Sequence, residues 1–501
     1  MVTAKPGERA AVRLSTGGYD ASASGDRPDS LGGRMQPVEP RRRSVHADGS
    51  ARFEDDSRLG LSVGRVTGRE RRLNWDYFIT DMSQEINAVR ANYSTETRLG
   101  LISALAYHNE FHTTVNMPAL GSSVADNSAT VASLQDLFKI GSDHSIRLAG
   151  EFRHNQASVL NNPDASLQYQ VLSGSGMWDW AITEKLSFVN AVRYDLLQLD
   201  RTGPVTPLVP LTNSDFNRSL DAFSFNSGLV WRASDLDTAR FTVGHGLELP
   251  SLSNFSAFES SHHVAPPMRF VIYGNPQLNP TDVWNYEVSW DHSLPAFNAA
   301  TRASLFYQEN KGIIDYAFNP RIVIPPGLLL LPTTNYHSSQ TAGLELGIKG
   351  KIDSSWSWPS WSWPSWSWPS WSWSVNYTAQ MIKDNMETRS LLVFGQEQFS
   401  GRTPQHKINA NIGYTDGPWE VDLDVHYLSG YALPDIRPYF TTGNSRAMTG
   451  LGDFVMLEPR IGYHVTENIT AELAVQGLWQ RRELPLNVIE PTVLFSVVGR
   501  W

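Results

Sequence analysis

Trp419-Glu420-Val421-Asp422-Leu423-Asp424-Val425-His426-Tyr427 alternates without a break. Trp419, Val421, Leu423, Val425 and Tyr427 fill one set of positions; Glu420, Asp422, Asp424 and His426 fill the other. Successive side chains of a strand point to opposite faces. The stretch therefore predicts a strand with one apolar face, ended by rings, and one charged face. A single strand of this kind would suit a soluble sandwich. Many of them, with aromatic ends, predict a sheet closed into a barrel with lipid outside and a polar lumen.

The pattern recurs. Phe223, Phe225, Leu229 and Trp231 oppose Ser224, Asn226 and Arg232. Trp284, Tyr286, Val288 and Trp290 oppose Asn285, Glu287, Ser289 and Asp291. Ala342 to Ile348, Ile408 to Tyr414 and Ile469 to Val475 alternate in the same way, and the chain ends with Val493, Phe495, Val497 and Trp501 on one face. Weaker strands are expected at about 57–66, 72–80, 83–93, 98–108, 131–140, 143–155, 165–180, 185–199 and 237–248. Short turns near Ser234–Asp235, Ser293–Ala296, Thr415–Pro418 and Thr466–Asn468 alternate with long connections at 200–218, 249–281, 312–340, 384–404, 429–453 and 480–491. Outer-membrane barrels have short periplasmic turns and long external loops. The fold expected is an all-β transmembrane antiparallel barrel of about 20–22 strands.

Composition agrees. Charged residues are 18% of 501, below the roughly 25% of soluble domains, while aromatics reach 11% with 17 Trp. No apolar run approaches the ~18 residues of a helical span, and Val323 to Leu331 is broken by Pro325 and Pro326. Mean hydropathy is −0.31, which does not argue against a barrel, because half of each strand is polar. A net charge of −10 argues against a nucleic-acid partner. The absence of Cys excludes disulfides and thiolate chemistry. Met1 to Ala10 lacks the apolar core and cleavage site of a signal peptide. A secreted barrel needs one, so the leader is expected to have been removed or to lie upstream.

One turn is anomalous. The pentapeptide repeat WSWPS runs from Trp356 to Ser374 and holds eight of the Trp residues. With its flank, 355–374, it is expected to be a low-complexity insertion in a periplasmic turn. An interfacial aromatic anchor is the rival reading. Pro359, Pro364 and Pro369 make it a poor ladder strand.

Gly274-Asn275-Pro276-Gln277-Leu278-Asn279-Pro280, leading into Asn285-Tyr286-Glu287, resembles the GNPxLxPE-to-NYE segment of TonB-dependent outer-membrane receptors. Asn279-Pro280-Thr281 stands where that family often has Lys-Pro-Glu. Gly343-Leu344-Glu345 is similar to its "GlE" strand, Pro404 to Asn409 to its P-x-H-x-x-N strand start, and Phe241 to Leu252 to its "fr-x-P-sl" segment. Trp501 supplies a terminal aromatic of the kind used in barrel assembly. Met1 to Gly7 resembles the end of the family's plug domain, and Val12 to Tyr19 its first barrel strand. The resemblance implies a plug remnant at 1–9 and a barrel over 10–501.

What it implies for function is uptake of a scarce solute, a ferric siderophore first, across the outer membrane of a Gram-negative bacterium. Implied partners are outer-membrane lipid and lipopolysaccharide, the barrel-assembly machinery and, if a plug lies upstream, the TonB energy-coupling complex. The alternatives are a plugless passive pore, a non-functional truncated receptor, and a soluble β-sandwich, against which the alternation argues. No resident cofactor is expected; the ferric chelate would be cargo.

The chemistry-bearing residues fall into three groups. External loops form the family's ligand site, so His262, His263, Arg269 and Tyr273 in loop 249–281, with Tyr336, Arg437 and Tyr439 on other loops, are the candidate ligand contacts; Arg, His and Tyr suit anionic chelates. His108, Glu110 and His112, spaced by two, are a weak metal candidate where a strand runs into an external loop. Glu420, Asp422 and Asp424 form a lumen row expected to pair with neighbouring bases such as Lys407, or to face water. No nucleophile elbow, P-loop, dinucleotide fingerprint or zinc motif is present, so no enzyme is expected.

Overall fold

The computed structural model describes residues 2–5, 7–21, 39–73, 79–117, 121–159, 162–205, 207, 209–256, 260–265, 268–316, 323–324, 328–353, 370–386, 399–434, 448–478 and 491–499. In chain order, a short β1 (Val2–Ala4) pairs with β2 (Ala10–Asp20), followed by β3 (Arg41–Arg52), β4 (Arg58–Leu73), β5 (Ile79–Glu96) and β6 (Leu101–Met117). Next come β7 (Gly121–Ile140), β8 (His144–Val159), β9 (Asn162–Ala181), β10 (Leu186–Thr202), β11 (Arg218–Arg232) and β12 (Asp237–Glu248). The helix α1 (Leu252–Ser256) opens a loop that also holds β13 (Ser260–Ala265) and β14 (Met268–Tyr273). The wall resumes with β15 (Thr281–Leu294), β16 (Ala299–Tyr316) and, after β17 (Val323–Ile324), β18 (Leu328–Asp353). Then follow β19 (Ser370–Met386), β20 (His406–Asp416) and β21 (Trp419–Leu428), an outer hairpin β22 (Tyr431–Pro434) and β23 (Met448–Leu451), and finally β24 (Phe454–Thr466), β25 (Ile469–Gln476) and β26 (Thr492–Gly499).

Wall strands β2 to β12, β15, β16, β18 to β21 and β24 to β26, twenty in all, pair antiparallel with their neighbours in the wall. The register propagates one face around the barrel. Val63 lies opposite Val89, Phe152 opposite Leu172, Tyr194 opposite Phe223, and Phe241 opposite Val288. Further round, Leu305 lies opposite Leu344, Trp371 opposite Tyr414, Val421 opposite Ile461, and Leu473 opposite Phe495. Most of these side chains stay exposed, as at Leu172 (61%), Leu305 (61%) and Phe495 (71%), while Leu344 and Tyr414 are half-buried. A continuous apolar belt of this extent needs lipid against it. Rings gather at the short-turn end, where Trp178 stacks on Trp180 and Trp371 and Trp419 meet Tyr414 and Tyr463 at 4.6 Å. Among the described residues no helix is long and apolar enough to cross a membrane.

Three expectations need correction. The segment 72–80, expected as one strand, holds the end of β4 (to Leu73) and the start of β5 (from Ile79), with 74–78 outside the described residues. The connection 312–340 is mostly ladder, since β16 and β18 stay paired up to Tyr316 and Thr333. The end of the Trp repeat also joins the wall: after the last Pro, Ser370 to Ser374 pairs with both β18 and β20. The sequence W-S-W-S is itself a period-two pattern, so once Pro369 is passed nothing blocks the ladder. The rest of the repeat, Arg437, Tyr439 and Trp501 lie outside the described residues.

Candidate functional site at the external mouth

The inner face of the barrel is not uniformly polar. Toward the external ends of β9 to β11 it carries Leu167, Val171, Leu197, Leu199 and Leu220, all buried. A wet apolar wall is unfavourable, and two long loops cover it. Loop 203–217 supplies Phe216 from a 3-10 turn (Asn213–Phe216), and loop 249–280 supplies Phe255 from α1 and Leu278 from the GNPQLNP segment. Phe255 is 0% exposed. Each such side chain contributes about 1.5–3 kcal/mol of burial.

Polar latches hold both loops. Arg201, itself buried, donates to Asn213 Oδ1 (2.9 Å) and the Pro204 carbonyl (3.1 Å), and its guanidinium lies 5.4 Å from the Phe216 ring centre. Asp215 accepts from the Thr212 amide (2.6 Å) and hydroxyl (2.8 Å). These bonds hold its carboxyl below the usual carboxylate range. The loop turns inward at Gly203, whose φ of +81° and tight approach to the Asp164 carbonyl leave no room for a Cβ.

The family-like motif works as a clamp. Arg218 donates to the carbonyls of Pro276 (2.8 Å) and Leu278 (2.7 Å) and to Asn279 Oδ1 (2.7 Å). Asn335 exchanges bonds with the Asn279 backbone, and Asn275 donates to the Thr333 carbonyl. Gly312, in the left-handed region, presents its carbonyl to both Asn335 and Thr281. Sequence reasoning noticed the motif but missed Arg201, Arg218, Phe216, Phe255 and Asn335.

Of the expected ligand contacts, His262 and His263 lie on β13 and Arg269 on β14, with His263 directly opposite Arg269. β14 pairs in parallel with the outer end of β18, from Leu328 to Pro332, so two external loops share one small sheet. Tyr336 follows on β18 at a bulge between Asn335 and His337. Tyr273, expected at the ligand, is instead 8% exposed; it packs on Val209 with Val205 and Leu211, and burial pushes its phenol up. It anchors the hairpin.

The other two groups are also located. His108, Glu110 and His112 share a face, but it is the outward one, with Val89 opposite His108. They do not converge: His108 meets Thr130 (2.7 Å) and His112 meets Asp126 (2.5 Å) on β7. No group of three metal-ligating side chains close enough to hold an ion occurs among the described residues. Glu420 and Asp422 do line the lumen, but their base is not Lys407, which sits opposite Leu428 at the far end of β20. The register puts Arg460 opposite Asp422. Arg460 binds Asp422 (2.6 Å), Glu420 (2.9 Å) and Glu472 (2.7 Å), while His464 takes the other oxygen of Glu420 (2.7 Å). Asp424 accepts from Asn411 (2.8 Å).

The solved structure of the FrpB iron transporter from Neisseria meningitidis superposes with a TM-score of 0.70 at 13% identity, covering 99% of this chain and 79% of that one. The siderophore receptor PiuA from Acinetobacter baumannii gives 0.69 at 12% identity, covering 99% and 78%. The Serratia marcescens hemophore receptor HasR, solved with its hemophore HasA and heme, gives 0.69 at 12% identity, covering 99% and 78%. At these identities the likeness is one of fold. A comparison with curated proteins finds no sequence match. The family model described as TonB dependent receptor-like, beta-barrel matches residues 10–478, and the chain belongs to that family.

Proposed function

We propose that this barrel sits in a Gram-negative outer membrane and takes up a ferric siderophore or similar metal chelate, as a receptor and transporter rather than an enzyme. The observation that supports this is the pairing of β13, β14 and β18 in the external loops, with His263 opposite Arg269 in the register, next to the GNPQLNP segment held by Arg218 and Asn335. Histidine and arginine as residue types in these loops suit a chelate rich in anionic oxygens. Structural neighbours whose names specify iron, siderophore or heme support the cargo class. Energised transport would run through a plug and TonB.

A passive pore is the second reading. It is favoured by the lumen wall, where Arg460, Glu420, Asp422 and Glu472 satisfy one another. The test is equilibrium binding of ferric hydroxamates, ferric catecholates and ferric citrate to the full chain in detergent, read by tryptophan fluorescence. The receptor reading expects saturable binding by one class, weakened about tenfold or more in H263A/R269A. No saturable binding, together with large steady conductance in a planar bilayer, would leave the pore.

A further inference from the structure

On the outer face of β3 and β4, four arginines with described side chains occupy lipid-side positions. Arg41 and Arg43 on β3, and Arg65 and Arg69 on β4, lie on the same face as Val45, Leu61 and Val63. The ladder sets Arg41 directly opposite Arg69, Arg43 opposite Thr67, and Val45 opposite Arg65. A tilted strand crosses the hydrocarbon in about 9–11 residues. β4 leaves its short turn at Arg58, so Arg69 reaches the outer boundary of the membrane, above Leu61 and Val63.

Two of the four are neutralised. Arg43 pairs with Asp20 (2.5 Å) and Arg65 with Glu85 (2.9 Å). Asp20 also lies opposite Arg41, but its ion pair is with Arg43. Arg41 and Arg69 have no carboxylate partner among the described residues. Like charges directly opposite in an antiparallel ladder repel. They flank a depression of about 440 Å³ that Arg43, Thr67, Ser83 and Thr114 also line. The acidic and imidazole groups facing it are Glu85, already held by Arg65, and His112, paired with Asp126. Paired guanidinium forks beside hydroxyls suit a phosphate. Directly below, Val45, Leu61 and Val63 offer an exposed apolar track.

We infer that this depression binds the phosphorylated headgroup of an outer-leaflet glycolipid, with the phosphate between Arg41 and Arg69 and acyl chains along Val45, Leu61 and Val63. The inference needs the barrel to span a membrane and is independent of what the mouth binds. A phosphate at a polar–apolar boundary can be free or lipid-borne; the apolar track favours the lipid.

Native mass spectrometry of the full chain in detergent, titrated with lipid A, tests this. Wild type should retain one lipid A, and R41Q/R69Q should bind it roughly tenfold more weakly, the scale of losing a charge-assisted hydrogen-bonded pair. Lipid A stripped of phosphate should bind wild type as weakly as the variant. R41K/R69K, which keeps charge but loses the forks, should fall between, and a heat-shifted gel band checks that each barrel is folded. Equal retention of the two lipids, or no loss in R41Q/R69Q, would overturn the site. Displacement of lipid A by low-millimolar inorganic phosphate would overturn the lipid in favour of a free anion.

Discussion

Two stretches of the same inner wall solve burial in opposite ways. Between β9 and β11, near the mouth, the lumen face is apolar, and loops 203–217 and 249–280 fold in to cover it. Between β21 and β25 it is ionic, and Arg460 holds three carboxylates on the wall itself. Apolar wall must be covered by something else; charged wall can satisfy itself and stay wet. The first region is where external loops acquire a fixed shape, and so where recognition can be built. The second is lining.

Substitutions should separate the two regions. The largest effect is expected from Phe255→Ala, which empties a fully buried site and should weaken loop docking by about 3–5 kcal/mol. Protease cleavage within 249–280 should accelerate while the barrel keeps its heat-shifted mobility; loss of the barrel as well would mean that the loop is part of the wall's own stability. Arg460→Ala comes next. It leaves three carboxylates facing one another, but the site is partly solvated, so about 1–3 kcal/mol is expected in urea unfolding from lipid vesicles. The external loops should exchange amide hydrogens as before.

Gly203→Ala should loosen loop 203–217 by about 1–2 kcal/mol, because a left-handed backbone and the Asp164 carbonyl both reject a Cβ. Hydrogen exchange at 209–216 would report it. The smallest effect is a pH dependence. Asp215 has a depressed pKa in the folded loop, so its contribution is present above the normal carboxylate range and is lost as pH falls through the depressed value. Protection in loop 203–217, taken relative to intrinsic amide exchange at each pH, should fall with acid, and Asp215→Asn should flatten that fall. Arg460 stays protonated throughout.

The wall was legible in the sequence because a strand's period is local: Trp419 to Tyr427 declares its two faces without reference to anything distant. Strand ends were less legible. The β16–β18 extension to Tyr316 and Thr333 carries no clean alternation, and it is fixed by Asn335 and Gly312 across a bulge. The mouth was only half legible. The GNPQLNP segment marked the right loop, yet its clamp depends on Arg218, far away in sequence and unremarkable in composition. Lys407 was a reasonable base for the carboxylate row until the register brought Arg460 instead. Which inward faces are apolar enough to recruit a loop depends on three strands at once, and no single segment records it.

Residue-resolved hydrogen exchange of the full chain in lipid nanodiscs tests the covered-wall account most directly. The account predicts that amides around Phe216, Phe255 and Leu278 exchange as slowly as those of neighbouring β9 to β11, and that Phe255→Ala frees the 249–280 segment while β21 to β25 are unchanged. Fast exchange across both loops in the unaltered protein, at the rate of open external chain, would contradict it.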